Sequence, residues 1–184
     1  MSLFPMFVNL EGKNVLVVGG GNVAARKIEK LLPFKPKITV VAKKIKRDEI
    51  KKLAEKHNIT LIERQFLFTD IDRKDMVIVA VDDVDLQREV YNYCVRRRIP
   101  VNCVDSPDYC TFIFPALVIK DELVIGISTS GTVPGLSAKI REKIENCLPE
   151  NIENVLKKLK QIRESMPKGE ERQKKILEII NKLL

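Results

Sequence analysis

The sequence is poor in the residues that many kinds of functional site require. It has no tryptophan, aromatic residues make up 5% of the chain, and His57 is its single histidine. A metal site built from several histidines is therefore excluded, and no platform of aromatic side chains is available for stacking nucleic-acid bases. The four cysteines form no CxxC pair, so we expect no zinc site and no metal ligands. His57 itself is predicted to be a solvent-exposed cap at the end of a helix.

Long apolar runs are also missing. None approaches the roughly 18 residues that a membrane-spanning helix needs, and no signal-peptide pattern is present. We therefore expect no membrane partner and a reduced, cytoplasmic setting. Basic residues are in excess, giving a net charge of +8, but they are spread through the predicted helices. This distribution does not favour a nucleic-acid partner, whereas an acidic small molecule would suit such a surface.

The first two thirds of the chain alternate between short apolar runs and amphipathic segments. The predicted strands are residues 13–18, 38–42, 60–63, 76–81 and 101–104, and the predicted helices between them are residues 22–32, 48–57 and 84–97. This alternation predicts an α/β fold of the Rossmann type, with a doubly wound parallel sheet.

The pattern changes after Asp105. Two strands are predicted at residues 116–119 and 123–128, followed by a helix from Pro134 to about Leu148 and by charged amphipathic helices at 151–165 and 170–184. We therefore predict three regions. They are a dinucleotide-binding domain at residues 1–115, a small α+β region at 116–148 and a C-terminal helical region at 149–184.

A G-x-G-x-x-A fingerprint joins the first predicted strand to the first predicted helix. Gly19 allows a tight turn, Gly21 lets the backbone approach a pyrophosphate, and Ala24 lets the helix pack close to the sheet. The free N–H groups at the start of the helix and the positive end of its dipole then face the phosphates. In this context the fingerprint predicts a dinucleotide site.

One part of the usual fingerprint is absent. The second strand ends in Lys43 and Lys44, where NAD-binding proteins usually carry an acid for the ribose hydroxyls. The two lysines favour the 2′-phosphate of NADP, or they are simply a solvated surface. The residues alone leave the choice between NAD and NADP open.

Acidic residues follow two of the predicted strands, where ligands bind in open α/β sheets. Asp82 and Asp83 come after the fourth strand, and helix capping is the favoured interpretation of Asp83. Asp105 follows the fifth strand. It is interpreted either as a general base at the nicotinamide end of the cleft or as an Asx-turn before Pro107.

A small polar loop precedes the helix that starts at Pro134. It contains Ser128, Ser130, Gly131 and Thr132, and it resembles an anion-binding helix N-terminus. An ordinary helix cap, which needs only one of these hydroxyls, is the alternative interpretation.

Taken together, these motifs resemble the precorrin-2 dehydrogenase module of sirohaem synthesis, which is also the N-terminal half of multifunctional sirohaem synthases. The matching stretches are residues 17–27, 80–83, 102–107, 112–116 and 127–134 with 140–141, in family order. The resemblance implies an NAD-dependent oxidation of precorrin-2 to sirohydrochlorin, with Asp105 as the catalytic aspartate. It also implies NAD contacts at Asn22, Val23, Lys43 and Lys44, with Asp82 beside them.

The resemblance also has implications for the substrate and for the oligomeric state. It implies an acidic tetrapyrrole substrate, which gives the net charge of +8 a concrete meaning, and a homodimer formed through residues 116–148. The loop at Ser128, Ser130, Gly131 and Thr132 is then assigned to the substrate. Because the chain stops at Leu184, we expect the methyltransferase half of the fused enzymes to be absent and methylation to fall to another protein.

Two questions stay open at this point. Some members of the family also insert ferrous iron into sirohydrochlorin, and the sequence does not decide whether this chain does. The alternative function is a Rossmann module that senses NAD(H) in a regulator without catalysis. Such a module would need the glycine fingerprint but neither Asp105 nor the loop at 128–134.

Overall fold

The computed structural model describes residues 3–183, and the chain divides into two compact units. One unit is Leu3–Ile113, and the other contains the residues from Phe114 onward. Met1, Ser2 and Leu184, which the predicted domain limits and the last predicted helix include, lie outside the described residues.

The first unit is built on a five-stranded parallel sheet with helices in the connections between its strands. The strands are β1 (Asn14–Val18), β2 (Lys37–Ala42), β3 (Thr60–Glu63), β4 (Met76–Val79) and β5 (Val101–Cys103), and the helices are α1 (Asn22–Leu31), α2 (Asp48–His57) and α3 (Val84–Arg96). The strand order is β3-β2-β1-β4-β5, and every pair is parallel. The predicted α/β fold of the Rossmann type is confirmed.

Burial explains why the central strands are uniformly apolar. Val15, Leu16 and Val17 of β1 are fully buried, and so are Val77 and Val79 of β4. Strands covered on both faces lose the alternation between apolar and polar residues that a half-exposed strand would show. The core of this unit therefore lies along β1, the middle strand of the sheet, and its neighbour β4.

Two strands of the parallel sheet end earlier than predicted. The strand predicted at 76–81 ends at Val79, and the one predicted at 101–104 ends at Cys103. In both cases the next residue still bonds to the neighbouring strand, and the chain then leaves the sheet in the loops that carry Asp82 and Asp105. Helix α2 ends at His57 as predicted, but Asn58, with a φ of 53°, is the residue that caps it in the left-handed conformation.

The second unit begins with an antiparallel pair of strands, β6 (Ala116–Lys120) and β7 (Leu123–Ile127). Three helices follow: α4 (Pro134–Cys147), α5 (Ile152–Ser165) and α6 (Glu170–Leu183). Lys157 and Lys160 of α5 form ion pairs with Asp121 and Glu122, which make the turn between β6 and β7. Within residues 3–183, no helix is long and apolar enough to cross a membrane.

Ala80, just beyond the end of β4, remains hydrogen-bonded to the end of β1. The Ala80 N–H donates to the Val18 carbonyl at 2.7 Å, and Gly19 has a φ of 123°. A Cβ atom on Gly19 would lie 2.2 Å from the Ala80 carbonyl oxygen. Glycine is therefore required at position 19 for two reasons: the backbone has a positive φ, and there is no space for a Cβ atom beside Ala80.

We predict that Gly19→Ala destabilises the protein by about 2 kcal/mol or more, because the methyl group collides with backbone that cannot move away. Denaturant unfolding followed by circular dichroism measures this loss. Gly21→Ala is the matched control, because Gly21 has an ordinary φ of −97° and open space at the Cβ position. It should stay within about 1 kcal/mol of the parent, and equal losses in the two variants would contradict the steric argument.

Candidate functional site

The glycine turn lies where the winding of the sheet reverses. From β1 the chain proceeds outward through β2 and β3, and it then returns to β4 on the other side of β1. Open α/β sheets bind ligands in the crevice outside the carboxyl ends of the strands at this reversal point. The turn Gly19–Gly21 follows β1, and residues 80–83 follow β4.

The end of α1 that faces this crevice carries no capping side chain. Gly21 is the N-cap residue, no side chain caps the first turn, and the first turn contains no acidic residue. Nothing lies within 4 Å of the position where a Cβ of Gly21 would be. The backbone N–H groups of Asn22 and Val23 and the positive end of the helix dipole therefore suit a pyrophosphate.

Gly20 has a role that sequence reasoning missed. Its Cβ would lie 2.8 Å from the Lys44 carbonyl oxygen, and the Lys46 N–H donates to the Gly20 carbonyl at 2.9 Å. Glu63, at the end of β3, fixes the same segment because its Oε1 accepts a 2.8 Å bond from the Ile45 N–H. The segment after β2 therefore packs against the glycine turn and holds the exposed side chains of Lys43 and Lys44 beside it.

The two aspartates after β4 play different parts. Asp83 is the N-cap of α3, and its Oδ1 accepts a 3.0 Å bond from the Leu86 N–H. The capping interpretation of Asp83 is therefore confirmed. Asp82 is exposed and lies at the end of the strand next to β1. Its assignment as a cofactor contact stays a prediction.

Asp105 lies in a short closed loop after β5. At the base of the loop, Asn102 bridges to Cys110, and the Thr111 N–H donates to the Val101 carbonyl at 2.8 Å. Asp105 has a φ of 61°, in the left-handed region that Asp tolerates better than most residues, and its side chain is exposed. Within residues 3–183 its carboxylate makes no Asx-turn hydrogen bond. The loop therefore exposes the Asp105 side chain, and other residues make the contacts that close the loop.

Lys27 is the charged neighbour of Asp105 that sequence reasoning did not select. It lies half-buried on α1 and interacts electrostatically with Cys110 and Asp105. Burial lowers the pKa of Lys27 to about 8, the charge of Lys30 adds to this shift, and Cys110 and Asp105 oppose it. The helix that starts at the glycine turn thus carries a cation towards Asp105.

The cysteines near this loop are buried thiols. Burial raises the pKa of Cys103 to about 12 and that of Cys94 to about 11, and it also raises the pKa of Cys110. The Cys110 thiol donates to the Cys103 carbonyl at 3.1 Å. Such thiols pack and hydrogen-bond but do not ionise readily. Among residues 3–183, no group of three His, Cys, Asp or Glu side chains could hold a metal ion.

The polar loop before α4 belongs to the other compact unit and has its own hydrogen bonds. Ser128 Oγ accepts from the Ser130 N–H at 2.9 Å, and Thr129 Oγ1 accepts from the Val133 N–H at 3.2 Å. Thr129, which was not among the selected residues, therefore supplies the local bond to the start of the helix. Ser130 and Gly131 have φ values of 54° and 82°, and the side chains of Ser130 and Thr132 are exposed.

Comparison with known proteins identifies the class to which this site belongs. Residues 6–116 match the model of the NAD_binding_7 family, which is described as NAD(P)-binding. The chain belongs to this family of dinucleotide-binding domains. Membership confirms the prediction of a nicotinamide dinucleotide as the cofactor.

Individual relatives show which proteins with such a domain the chain is similar to. The chain is 40% identical to the siroheme synthase of Ruthia magnifica over 149 residues, and 40% identical to that of Neisseria meningitidis serogroup C over 152 residues. These matches cover 81% and 83% of this chain but 31% and 32% of the relatives, so the chain spans about a third of their length. A solved structure of SirC, a precorrin-2 dehydrogenase, matches with a TM-score of 0.79 and 25% identity over 97% of this chain and 89% of that one. The resemblance drawn from the motifs is confirmed.

The different parts of Asp82 and Asp83 lead to a paired prediction. Asp83→Ala removes the cap of α3 and should lower the free energy of unfolding by about 1 kcal/mol. Asp82→Ala, at the adjacent exposed position, should leave stability within about 0.5 kcal/mol and weaken dinucleotide binding instead. Denaturant unfolding and calorimetric titration with NAD measure the two effects. If Asp83→Ala left stability unchanged, the cap would have no energetic role.

Proposed function

We propose that this chain oxidises precorrin-2 to sirohydrochlorin, with NAD as the hydride acceptor. In this reaction a hydride passes from the tetrapyrrole to the nicotinamide, a second hydrogen leaves as a proton, and NAD becomes NADH. The proposal is supported by membership of the NAD(P)-binding family and by the likeness to siroheme synthases and to a precorrin-2 dehydrogenase.

One structural observation carries the assignment of roles. Asp105 is exposed on a closed loop after β5, and it interacts with Lys27, which lies on the same helix that begins at the glycine turn. A dinucleotide held at the start of α1 and an acid opposite the middle of α1 are what a hydride transfer with proton loss requires. We assign Asp105 as the group that receives the proton or orients the carbon that loses it. Lys27 stabilises the Asp105 carboxylate by its charge.

The residues present fit a dinucleotide. The uncapped start of α1 and the open space at Gly21 suit its pyrophosphate, and Asn22 and Val23 supply backbone N–H groups there. Lys43, Lys44 and Asp82 are assigned to the rest of the cofactor. The bound nicotinamide supplies the site that accepts the hydride.

An acidic tetrapyrrole fits the charge of the protein. Its many carboxylates would be attracted by the net charge of +8. We assign the loop of Ser128, Ser130, Gly131 and Thr132 to these carboxylates, because its exposed hydroxyls and its two residues with positive φ form a surface suited to anions. Iron insertion into the product is not part of this proposal.

The competing function is a module that senses NAD(H) without catalysis. It would account for the glycine turn but not for an aspartate displayed at a positive φ beside a half-buried lysine. This juxtaposition favours the dehydrogenase.

The activity is tested with anaerobically generated precorrin-2, NAD and the purified protein, by following NADH absorbance. We expect NADH formation with NAD, and loss of roughly 100-fold or more of the rate in Asp105→Asn with NAD binding unchanged. Asp108→Asn is the matched control on the same loop and should keep parental turnover. Failure of the well-folded parent to form NADH from NAD or NADPH from NADP would refute the dehydrogenase. Adding ferrous iron to the product in the same assay reports on chelation.

We also propose that the chain is a homodimer formed through residues 116–148. Among the described residues β6 and β7 form a sheet of only two strands, which leaves a row of unpaired backbone groups on each outer edge. Val133 and Leu136, at the start of α4, are 48% and 49% exposed. Edge strands and exposed apolar residues in one segment are typical of a surface that a second copy covers.

Light scattering at micromolar concentration should give about twice the chain mass of 21.0 kDa. Leu136→Lys should shift the mass towards that of one chain, whereas Leu177→Lys, at an exposed position of α6 outside the proposed interface, should not. A parent protein that stays at the mass of one chain would contradict the dimer.

A further inference from the structure

Gln87 is a buried polar residue that the proposed reaction does not use. It lies on the first turns of α3 and is 3% exposed. Its side-chain nitrogen Nε2 donates to the Val81 carbonyl at 2.7 Å and to the Val104 carbonyl at 3.3 Å. Val81 immediately precedes Asp82, and Val104 immediately precedes Asp105.

The two carbonyl groups that accept from Gln87 Nε2 lie in different loops, each of which follows the carboxyl end of a strand. Val81 follows β4, and Val104 follows β5, so one amide group joins two loops that leave neighbouring strands. The main chain of Gln87 adds a third link, because the Cys103 thiol donates to the Gln87 carbonyl at 3.6 Å. The Gln87 N–H donates in turn to the Asp83 carbonyl at 3.0 Å.

The orientation of the amide follows from its partners. Two carbonyl oxygens need a donor, and an amide presents two hydrogens on one nitrogen. The other amide atom, Oε1, is buried without a hydrogen-bond partner among the described residues. An unpaired buried acceptor is destabilising, so stability alone does not explain a glutamine here. What the side chain supplies is the connection between the two loops.

We infer that Gln87 is a positioning residue, which ties the segments after β4 and β5 together and thereby sets the separation of Asp82 from Asp105. This inference rests on the proposed function for its catalytic consequence but not for the connection itself. Because Asp82 is assigned to the cofactor and Asp105 to the reacting carbon, the bond pair determines how the two reactants meet. A misplacement of about 1 Å is enough to cost roughly 100-fold in rate.

The test compares Gln87→Met with Val90→Ala. Methionine keeps the volume of the side chain but donates no hydrogen bond, whereas Val90→Ala removes fully buried packing from the same helix and leaves the connection intact. We expect kcat to fall roughly 10- to 100-fold in Gln87→Met, with KM for NAD changed less than threefold or so. Val90→Ala should lose stability while kcat stays near the parental value. Equal losses of kcat in the two variants would overturn the inference.

Gln87→Glu adds a readout that a purely structural role would not give. An ionised carboxylate cannot donate to the carbonyls, but the protonated acid can make one of the two bonds. The kcat of Gln87→Glu, divided by that of the parent at each pH, should therefore rise as the pH falls. A ratio that stays constant with pH would contradict the inference.

Hydrogen–deuterium exchange makes the connection testable without substrate. Residues 80–83 and 104–109 should both exchange faster in Gln87→Met than in Val90→Ala, when the two variants are compared at equal global stability. If the parent formed no NADH, the proposed function would fail while this measurement still decided the connection. Unchanged exchange in both segments would refute the connection, whatever the activity.

Discussion

The close approach of Gly19 to Ala80 is the constraint on which the rest of the site depends. A 2.2 Å gap between the Ala80 oxygen and a hypothetical Cβ leaves no room for any side chain at Gly19. β1 and β4 are paired up to their ends, so the loops that line the crevice at the reversal point start from fixed places. The same approach forces the chain to turn sharply into α1, which brings the start of that helix to the crevice.

Around this constraint, the residues assigned to the proposed site are held by neighbours that have no assigned chemical role. Gly20 and Glu63 hold the segment of Lys43 and Lys44, and the hydrogen bonds at Thr111 close the loop of Asp105. Supporting contacts of this kind are typical of sites in which exposed polar groups must be placed accurately on a rigid scaffold. It also explains why this part of the unit contains buried polar residues such as Asn102.

Much of the fold and of the site was predictable from the sequence, for physical reasons. Uninterrupted apolar runs predict buried parallel strands, and the bounds of α2 and β3 follow from periodicity and from the turn at Asn58. The strand ends at Val79 and Cys103 were not predictable, because apolar residues continue past them into loops. Lys27, Gln87 and Gly20 were missed because their roles depend on contacts with distant residues, which periodicity and local motifs do not report.

Helix α1 sets the distance between two parts of the proposed site, the start of the helix and Lys27. Its first turn is the place proposed for the pyrophosphate, and Lys27 lies five positions after Asn22. At about 1.5 Å per residue, the two are separated by roughly 7.5 Å along a rigid axis. An inserted residue between them would rotate Lys27 by about 100° away from Asp105. The proposed site therefore depends on the number of residues in this segment as well as on their identity. Members of this family should accept substitutions in the segment far more often than insertions or deletions.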